Sequence, residues 1–529
     1  MSDEDVDVAD LIEGVREVKE SVADAGRPAA VERQHDAGKL TARERVEYLY
    51  DVGSFDEIGQ LAAPMPTTPE TADWEREDAP ADGVVCGIGE VDGRPVAVMA
   101  TDYTVKGGSI GHAGGRKLER VASLARDRGY PFVMLHDGGG HRIQEGLDAA
   151  PTARGDAGFA NLQETLSGWV PTVSAMMGPG FAAPTNFAAL CDFVPMVEGT
   201  STLGVAGPSL GKAALGKALS KAELGGPNVQ ARRHGMADVA CEDDEACLDA
   251  IRTYLSYLPR NATEEPPAEE DFEPPSDDQV AALTDVIPAN AKKGYDIYAI
   301  VEGIVDRDSF FELKPEFARN IVTGFARLEG EPIGVVANNP RHKAGTIDTD
   351  ASDKSSHFVS VCDAFDLPVL SLIDVPGILP GPDSESEGVA RHSAKLPFEL
   401  NRATVPTVTV CLRRGYGYGY VAMGGGRSTD TDLSLAWPTA EIAAMGIEGA
   451  VDVAYRREIE AADDPEAKRA ELVAKFKDRT DAVRAAERVG IDAVVEPAET
   501  RGRVARAFAR AEDTPDDDWP PKKHSINPF

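Results

Sequence analysis

A chain of 529 residues with 42% hydrophobic content is too long for one ordinary core, so two or three domains are expected, with two the first reading. Its 90 acidic against 54 basic residues leave a formal net charge of -36, which repels phosphate backbones and argues against a nucleic-acid partner. No apolar run reaches the roughly 18 to 20 residues of a membrane span, and the acidic start MSDEDVDVAD has neither the basic nor the apolar region of a secretory signal; a cytoplasmic protein with no membrane span is expected.

The carboxylates are spread along the chain and not gathered in a tail. Spread acidity suits a halophilic surface, where concentrated salt screens the self-repulsion that otherwise opposes compaction. Five residues separate the nearest cysteines, Cys241 and Cys247, a spacing of neither a zinc knuckle nor a CxxC redox pair. Buried free thiols are expected, with no metal site.

In chain order, HDAGKLTARERVEYLYDVGSFDEIG from His35 reads as a helix closed by Val52-Gly53, with Thr41 capping its second part. GEVDGRPVAVMATD from Gly89 reads as a hairpin turning at Asp92-Gly93. GGSIGHAGG, Gly107 to Gly115, lacks the Lys-Ser/Thr of a phosphate loop and reads as a loop into the helix RKLERVASLAR. Either that loop is a plain connecting turn, or its N–H groups, with Arg116 and Lys117, meet anionic phosphates. The strand FVMLHD follows, and then VPTV at Val170 to Val173 leads to the glycine turn Gly178-Pro179-Gly180-Phe181-Ala182-Ala183-Pro184.

The stretch NATEEPPAEEDFEPPSDDQ, Asn261 to Gln279, has a linker's composition. Beyond it the pattern returns: a hairpin at Glu329-Gly330, the helix DKSSHFVSVCDAF, the strand VLSLID, VPTV at Val405 to Val408, and the run Gly415 to Tyr420 leading to Met423-Gly424-Gly425-Gly426. Gly330, Pro368 and Asp374 follow Gly93, Pro131 and Asp137 at one constant offset, and the second VPTV follows the first at nearly the same one. Collinear matches of that kind mark a tandem duplication, each half alternating strand and helix as an α/β layered unit. Two domains, 1–265 and 266–529, are expected. AELVAKFKDRTDAVRAAERVG and RGRVARAFARA then read as amphipathic helices.

A strand that ends in a glycine turn and enters a helix leaves backbone N–H groups aimed into open space, where they suit a developing oxyanion. One such turn is more often only a tight corner; two in a duplicated chain can serve two oxyanions in one reaction. No HExxH or Walker loop competes for the role. His136, His141, His357 and His392 form no metal-ligand spacing and read as structural.

The segments TDYTVKGGSIGHAGGRKLERV, HDGGGHRIQEG, KAELGGPNV, EFARNIVTGFARL, DTDASDKSSHFVSVCDAFDLPVLSLIDVPGILPG and AWPTAEIAAMGIEGAV resemble the carboxyltransferase (beta) subunit of biotin-dependent acyl-CoA carboxylases, the propionyl-CoA carboxylase type. The resemblance runs from about His35 to the tail KKHSINPF. It implies a duplicated crotonase-like (ClpP/crotonase) β-β-α spiral fold and transfer of a carboxyl group from N-carboxybiotin, on a separate carrier protein, to the α-carbon of acetyl-CoA or propionyl-CoA. It further implies a biotin carboxylase and a biotin carboxyl carrier protein as partners, and a homo-hexamer built as a trimer of dimers, each site joining the first half of one subunit to the second half of its partner. By the same resemblance, Ala182 and Ala183 take the acyl-thioester oxygen and Tyr418 and Gly419, beside Gly417, take the biotin carbonyl. Val421 lines the acyl pocket. Gly178 and Gly180 belong to the first turn, and Gly138, Gly139, Gly140 and Arg142 to the substrate-side loop Asp137 to Gly146, where Arg142 is equally a partner for Glu145. The family usually has Gly-Gly at 182–183 and Gly-Ala at 418–419. Two other readings stay open: the same chemistry reversed in a biotin-dependent methylmalonyl-CoA-type decarboxylase, and a noncatalytic scaffold paralogue.

Overall fold

The computed structural model describes residues 8–65, 68–145, 165–217, 219–290, 293–427, 431–477, 479–512 and 526. The chain divides into two compact units at Glu264 and Glu265, with Ile526 returning to the first, where its N–H donates to Ser167 Oγ.

The first unit holds strands β1 (Asp56–Glu57), β2 (Val84–Val91), β3 (Arg94–Thr101), β4 (Ser109–Ile110), β5 (Phe132–Gly138), β6 (Gly140–His141), β7 (Thr172–Phe181), β8 (Pro195–Val197), β9 (Thr202–Gly204) and β10 (Val239–Cys241). Its main sheet runs β1-β2-β3-β5-β7-β8-β10, with β9 paired to the far end of β7, while β4 and β6 form a separate two-stranded ladder. The first three strands are antiparallel and the rest parallel. β5 is buried along its whole length, as expected of a parallel strand covered on both faces.

The second unit repeats this plan. Its strands are β11 (Phe311–Leu313), β12 (Ile321–Leu328), β13 (Glu331–Asn338), β14 (Val369–Val375), β15 (Thr407–Tyr416), β16 (Leu433–Ala436), β17 (Glu441–Ala443) and β18 (Ala493–Val494). The order is β11-β12-β13-β14-β15-β16-β18, with β17 on the far end of β15. The correspondence reaches irregularities: the β5–β7 ladder slips register between His136 and Gly138, and the β14–β15 ladder slips between Ile373 and Val375.

Both hairpins turn where the sequence places them. Asp92 and Gly93 (φ 51° and 72°) and Glu329 and Gly330 (φ 57° and 87°) have the positive φ that a two-residue type I′ turn requires at both centres. A buttressing carboxylate accepts from each glycine N–H, Asp51 from Gly93 and Asp306 from Gly330, both at 2.8 Å. The helix after Thr41 spans Ala42–Leu49 and is opened by a Thr41–Glu44 capping box, while Val52-Gly53 lies in the turn beyond its end. The proline- and acid-rich stretch after Asn261 is more than a linker. Pro267 accepts from Arg327 at 2.7 Å and Glu269 pairs with Arg327 at 2.9 Å, which straps it to the second unit's hairpin.

Each unit has its own core, one around Phe132, Met134, Val121 and Met176, the other around Leu370, Leu372, Val408 and Trp437. All six cysteines are free and buried. Among the described residues no helix is long and apolar enough to cross a membrane, and no group of three or more His, Cys, Asp or Glu side chains is arranged to hold a metal ion.

Candidate functional site

β7 runs to Phe181 and breaks at Ala182, which has φ 62° and ψ -112°, and the helix Ala183–Ala188 begins at once with Pro184 in its first turn. Proline there is preorganised for a helix start and sacrifices no needed donor. The Ala182 N–H is used within the fold, donating to the Gly204 carbonyl at 3.1 Å. The Ala183 N–H has no hydrogen-bond partner among the described residues. Thr185 locks the corner to β9, its Oγ1 accepting from the Gly204 N–H at 2.9 Å.

The second corner is built the same way. β15 ends at Tyr416, Gly417 has φ 55°, and the helix Gly417–Ala422 follows. A side chain at Gly417 would place its Cβ 2.7 Å from the Ala444 carbonyl, so only glycine fits. The second VPTV stands to Gly417 as the first stands to Ala182, which makes Ala183 the counterpart of Tyr418. The N–H groups of Tyr418 and Gly419 have no partner among the described residues, and Tyr418 is 48% exposed. Val421 is half-buried on the same helix.

A glycine loop abuts each corner. In the first unit Gly139 is open on its outer side, and Gly140 (φ 79°) sits so that an added Cβ would lie 3.4 Å from Ala183 Cβ and 3.2 Å from the Phe181 carbonyl. In the second, Gly377, the counterpart of Gly140, presses its Cα to within 2.9 Å of where Gly419 would carry a Cβ. Gly138 is pinned on the Gly108 carbonyl, Gly180 lies against Met176, and Gly178 lies under the Asp137 carboxylate. These three are set by close approach within the fold.

The helix His112–Arg128 already holds protein carboxylates at its start, where the sequence left a plain turn and a phosphate contact both open. Its first N–H groups donate to protein carboxylates, His112 to Glu145 Oε2 at 2.7 Å and Gly114 to Asp82 Oδ2 at 2.8 Å. Arg142, 1% exposed, spans the same two acids at 2.6 and 2.7 Å and donates to the Ser109 carbonyl. It is a buried ion bridge whose charge is balanced where it stands. Lys117 is likewise internal: its ammonium caps the carbonyls of Ala81 and Val84, and burial pulls its pKa below the ordinary value. Its counterpart in the second unit, Lys354, caps the carbonyls of Lys314, Phe317 and Ile321. Of the cations Arg116, Lys117 and Arg142, only Arg116 is exposed. His136 is wholly buried and burial holds it neutral, its pKa lowered to about 3. The last residue of the expected loop, Gly146, lies outside the described residues.

Two parallel-rich sheets of the same order, each ending in a strand-corner-helix with unpartnered amides, define a duplicated α/β scaffold. The family model described as "Carboxyl transferase domain" matches residues 33–526, and the chain belongs to that family. It is therefore an enzyme that moves a carboxyl group. Among curated relatives it is 41% identical to the propionyl-CoA carboxylase carboxyltransferase subunit of Haloferax mediterranei, over 98% of this chain and 99% of that one. It is 38% identical to the methylmalonyl-CoA decarboxylase subunit alpha of Propionigenium modestum, again over 98% and 99%. Among solved structures, the transcarboxylase 12S crystal structure, a hexamer with methylmalonyl-coenzyme A and methylmalonic acid bound, matches with a TM-score of 0.89 and 38% identity, covering 100% of this chain and 99% of that one. The fold is thus a tandem, crotonase-like one.

Proposed function

We propose that the chain is the carboxyltransferase component of an acyl-CoA carboxylase, carrying a carboxyl group from N-carboxybiotin on a separate carrier protein to the α-carbon of acetyl-CoA or propionyl-CoA. The observation that carries this reading is the pair of equivalent corners with unpartnered amides. Carboxybiotin supplies the carboxyl group and, once relieved of it, the nitrogen that accepts the α-proton. The work left to the chain is electrostatic. The Ala183 N–H, at the start of its helix, is aimed for the thioester oxygen, where negative charge gathers as the enolate forms. The Ala182 N–H contributes only by leaving its bond to Gly204. Tyr418 and Gly419, with Gly417 beside them, offer N–H groups to the ureido oxygen. Donors fixed in advance need no reorganisation, and loss of one commonly costs about 3 kcal/mol of barrier. Val421 favours an aliphatic acyl group, and Arg116 is the remaining candidate for a coenzyme A phosphate.

The partners are then a biotin carboxylase and a biotin carboxyl carrier protein, and the assembly a hexamer of three dimers, as the 12S relative's hexamer supports. We place the protein in the cytoplasm of a salt-adapted cell, a reading supported by the charge of -36 and the Haloferax relative. The decarboxylase relative supports the reverse direction as the second reading. Radiolabelled carboxyl carrier, incubated with the protein and a panel of acyl-CoA thioesters in molar salt, separates them. Label appearing in a short acyl-CoA supports the proposal. Activity confined to decarboxylation of the dicarboxylic thioester favours the second reading, and no transfer in either direction indicates a scaffold.

A further inference from the structure

In each unit the central strand loses register at one aspartate, Asp137 in β5 and its counterpart Asp374 in β14, both fully buried. Neither carboxylate faces a corner amide, yet each is held by two cations. Lys39 Nζ lies 2.6 Å from Asp137 Oδ1 and Arg45 Nη1 3.0 Å from Oδ2. Arg413 lies 2.9 Å from Asp374 Oδ2 and Arg414 Nε 2.6 Å from Oδ1. The first pair comes from the segment ahead of the sheet and the second from β15 itself, so the same electrostatic arrangement is reached with unrelated residues. The bulge amides are held alike, Asp137 N–H by Thr101 Oγ1 at 2.6 Å and Asp374 N–H by Asn338 Oδ1 at 3.1 Å. Three residues after each aspartate stands the positive-φ glycine, Gly140 or Gly377, that abuts the corner.

Two charges buried in a sheet are costly, and well-packed apolar residues serve stability as well or better. A doubly paired carboxylate at one bulge is explicable as a structural peg. The same peg at both bulges, built from different cations and followed by the same glycine contact, points to a shared task. We infer that Asp137 and Asp374 are positioning residues: each fixes the bulge and, through the glycine three residues on, the aim of its own corner's N–H groups. Asp137 serves the thioester oxygen and Asp374 the biotin oxygen. This rests on the two-corner reading above.

The test uses full-length D137N and D374N in molar salt with three readouts: carboxyl transfer to acyl-CoA, breakdown of the carboxylated carrier without acyl-CoA, and affinity for S-propyl-CoA, a thioether that lacks the carbonyl. D137N lowers the kcat of transfer by about 30-fold or more, while carrier breakdown and thioether affinity stay within about threefold. D374N slows transfer and breakdown together and leaves thioether affinity unchanged. The milder K39Q, which keeps Arg45 on the carboxylate, slows transfer by a smaller factor and spares breakdown. Transfer by D137N at the unmodified rate overturns the inference, as does parallel loss of all three readouts, the mark of a merely structural role. If D137N does not fold, K39Q transferring at the full rate overturns it. Inactive unmodified protein refutes the two-corner reading instead.

Discussion

At the scale of single residues, Ala182 is the position where this chain works against its own chemistry. A β-carbon at φ 62° and ψ -112° is strained by about 1 to 3 kcal/mol, a penalty glycine escapes. We therefore expect Ala182→Gly to stabilise the protein by about 1 kcal/mol in denaturant unfolding at constant salt. A loss of stability, as for glycine at an ordinary position, would contradict the strain. Asp192 makes a prediction in pH. Burial lifts its carboxyl to about 7, against the pull of Thr172, whose N–H and hydroxyl both donate to it at 2.8 Å. The unfolded chain ionises near the ordinary value, so this group's contribution is fully present below pH ~4 and is lost as pH rises through about 7, on the order of 4 kcal/mol in all. Asp192→Asn should remove that slope. Unfolding free energies of the two proteins at pH 4.5 and 7.5 that differ by a constant would refute it.

At the scale of elements, the hairpins, both corners and the Thr41 cap were legible because each is written in a few adjacent residues: Asp-Gly or Glu-Gly between apolar runs, glycines after VPTV, Thr three residues before Glu. The ion bridge of Arg142 was half legible. Glu145, three residues away, was foreseen, but Asp82 lies far back along the chain and leaves no local signal, and its carboxylate also accepts from the Gly114 N–H at the helix start. Lys117 entered the sequence reading only beside Arg116, as a partner for anionic phosphates. The constant offset that equates it with Lys354 was the available sign of a structural peg. The corner itself makes a sharp prediction, because its chemistry lies in the backbone. Tyr418→Ala keeps the N–H and should hold transfer within a few-fold, whereas Tyr418→Pro removes it and should lower kcat by about 100-fold or more. Equal losses in the two variants would move the role to the phenol.

At the scale of the whole molecule, duplication explains why one chain has two sheets of the same order, the same bulge and the same corner. The repeat was readable from offsets alone, whereas the swap of cation sources between the two bulges was not, since Lys39 and Arg413 occupy unrelated places in the sequence. Net charge sets the working conditions. A surface of -36 repels the phosphates of coenzyme A, so acyl-CoA affinity should rise from dilute buffer to molar salt as screening shortens the reach of that repulsion. Calorimetric titration across salt checks this, and affinity that falls with salt would contradict it. The central claim is that the corner amides hold the reacting oxygens, and the crystal structure of the protein with a nonhydrolysable acyl-CoA analogue tests it most directly. The account predicts the acyl oxygen about 2.7 to 3.1 Å from the Ala183 nitrogen. An acyl oxygen held by side chains, with the Ala183 amide facing away from it, would contradict it.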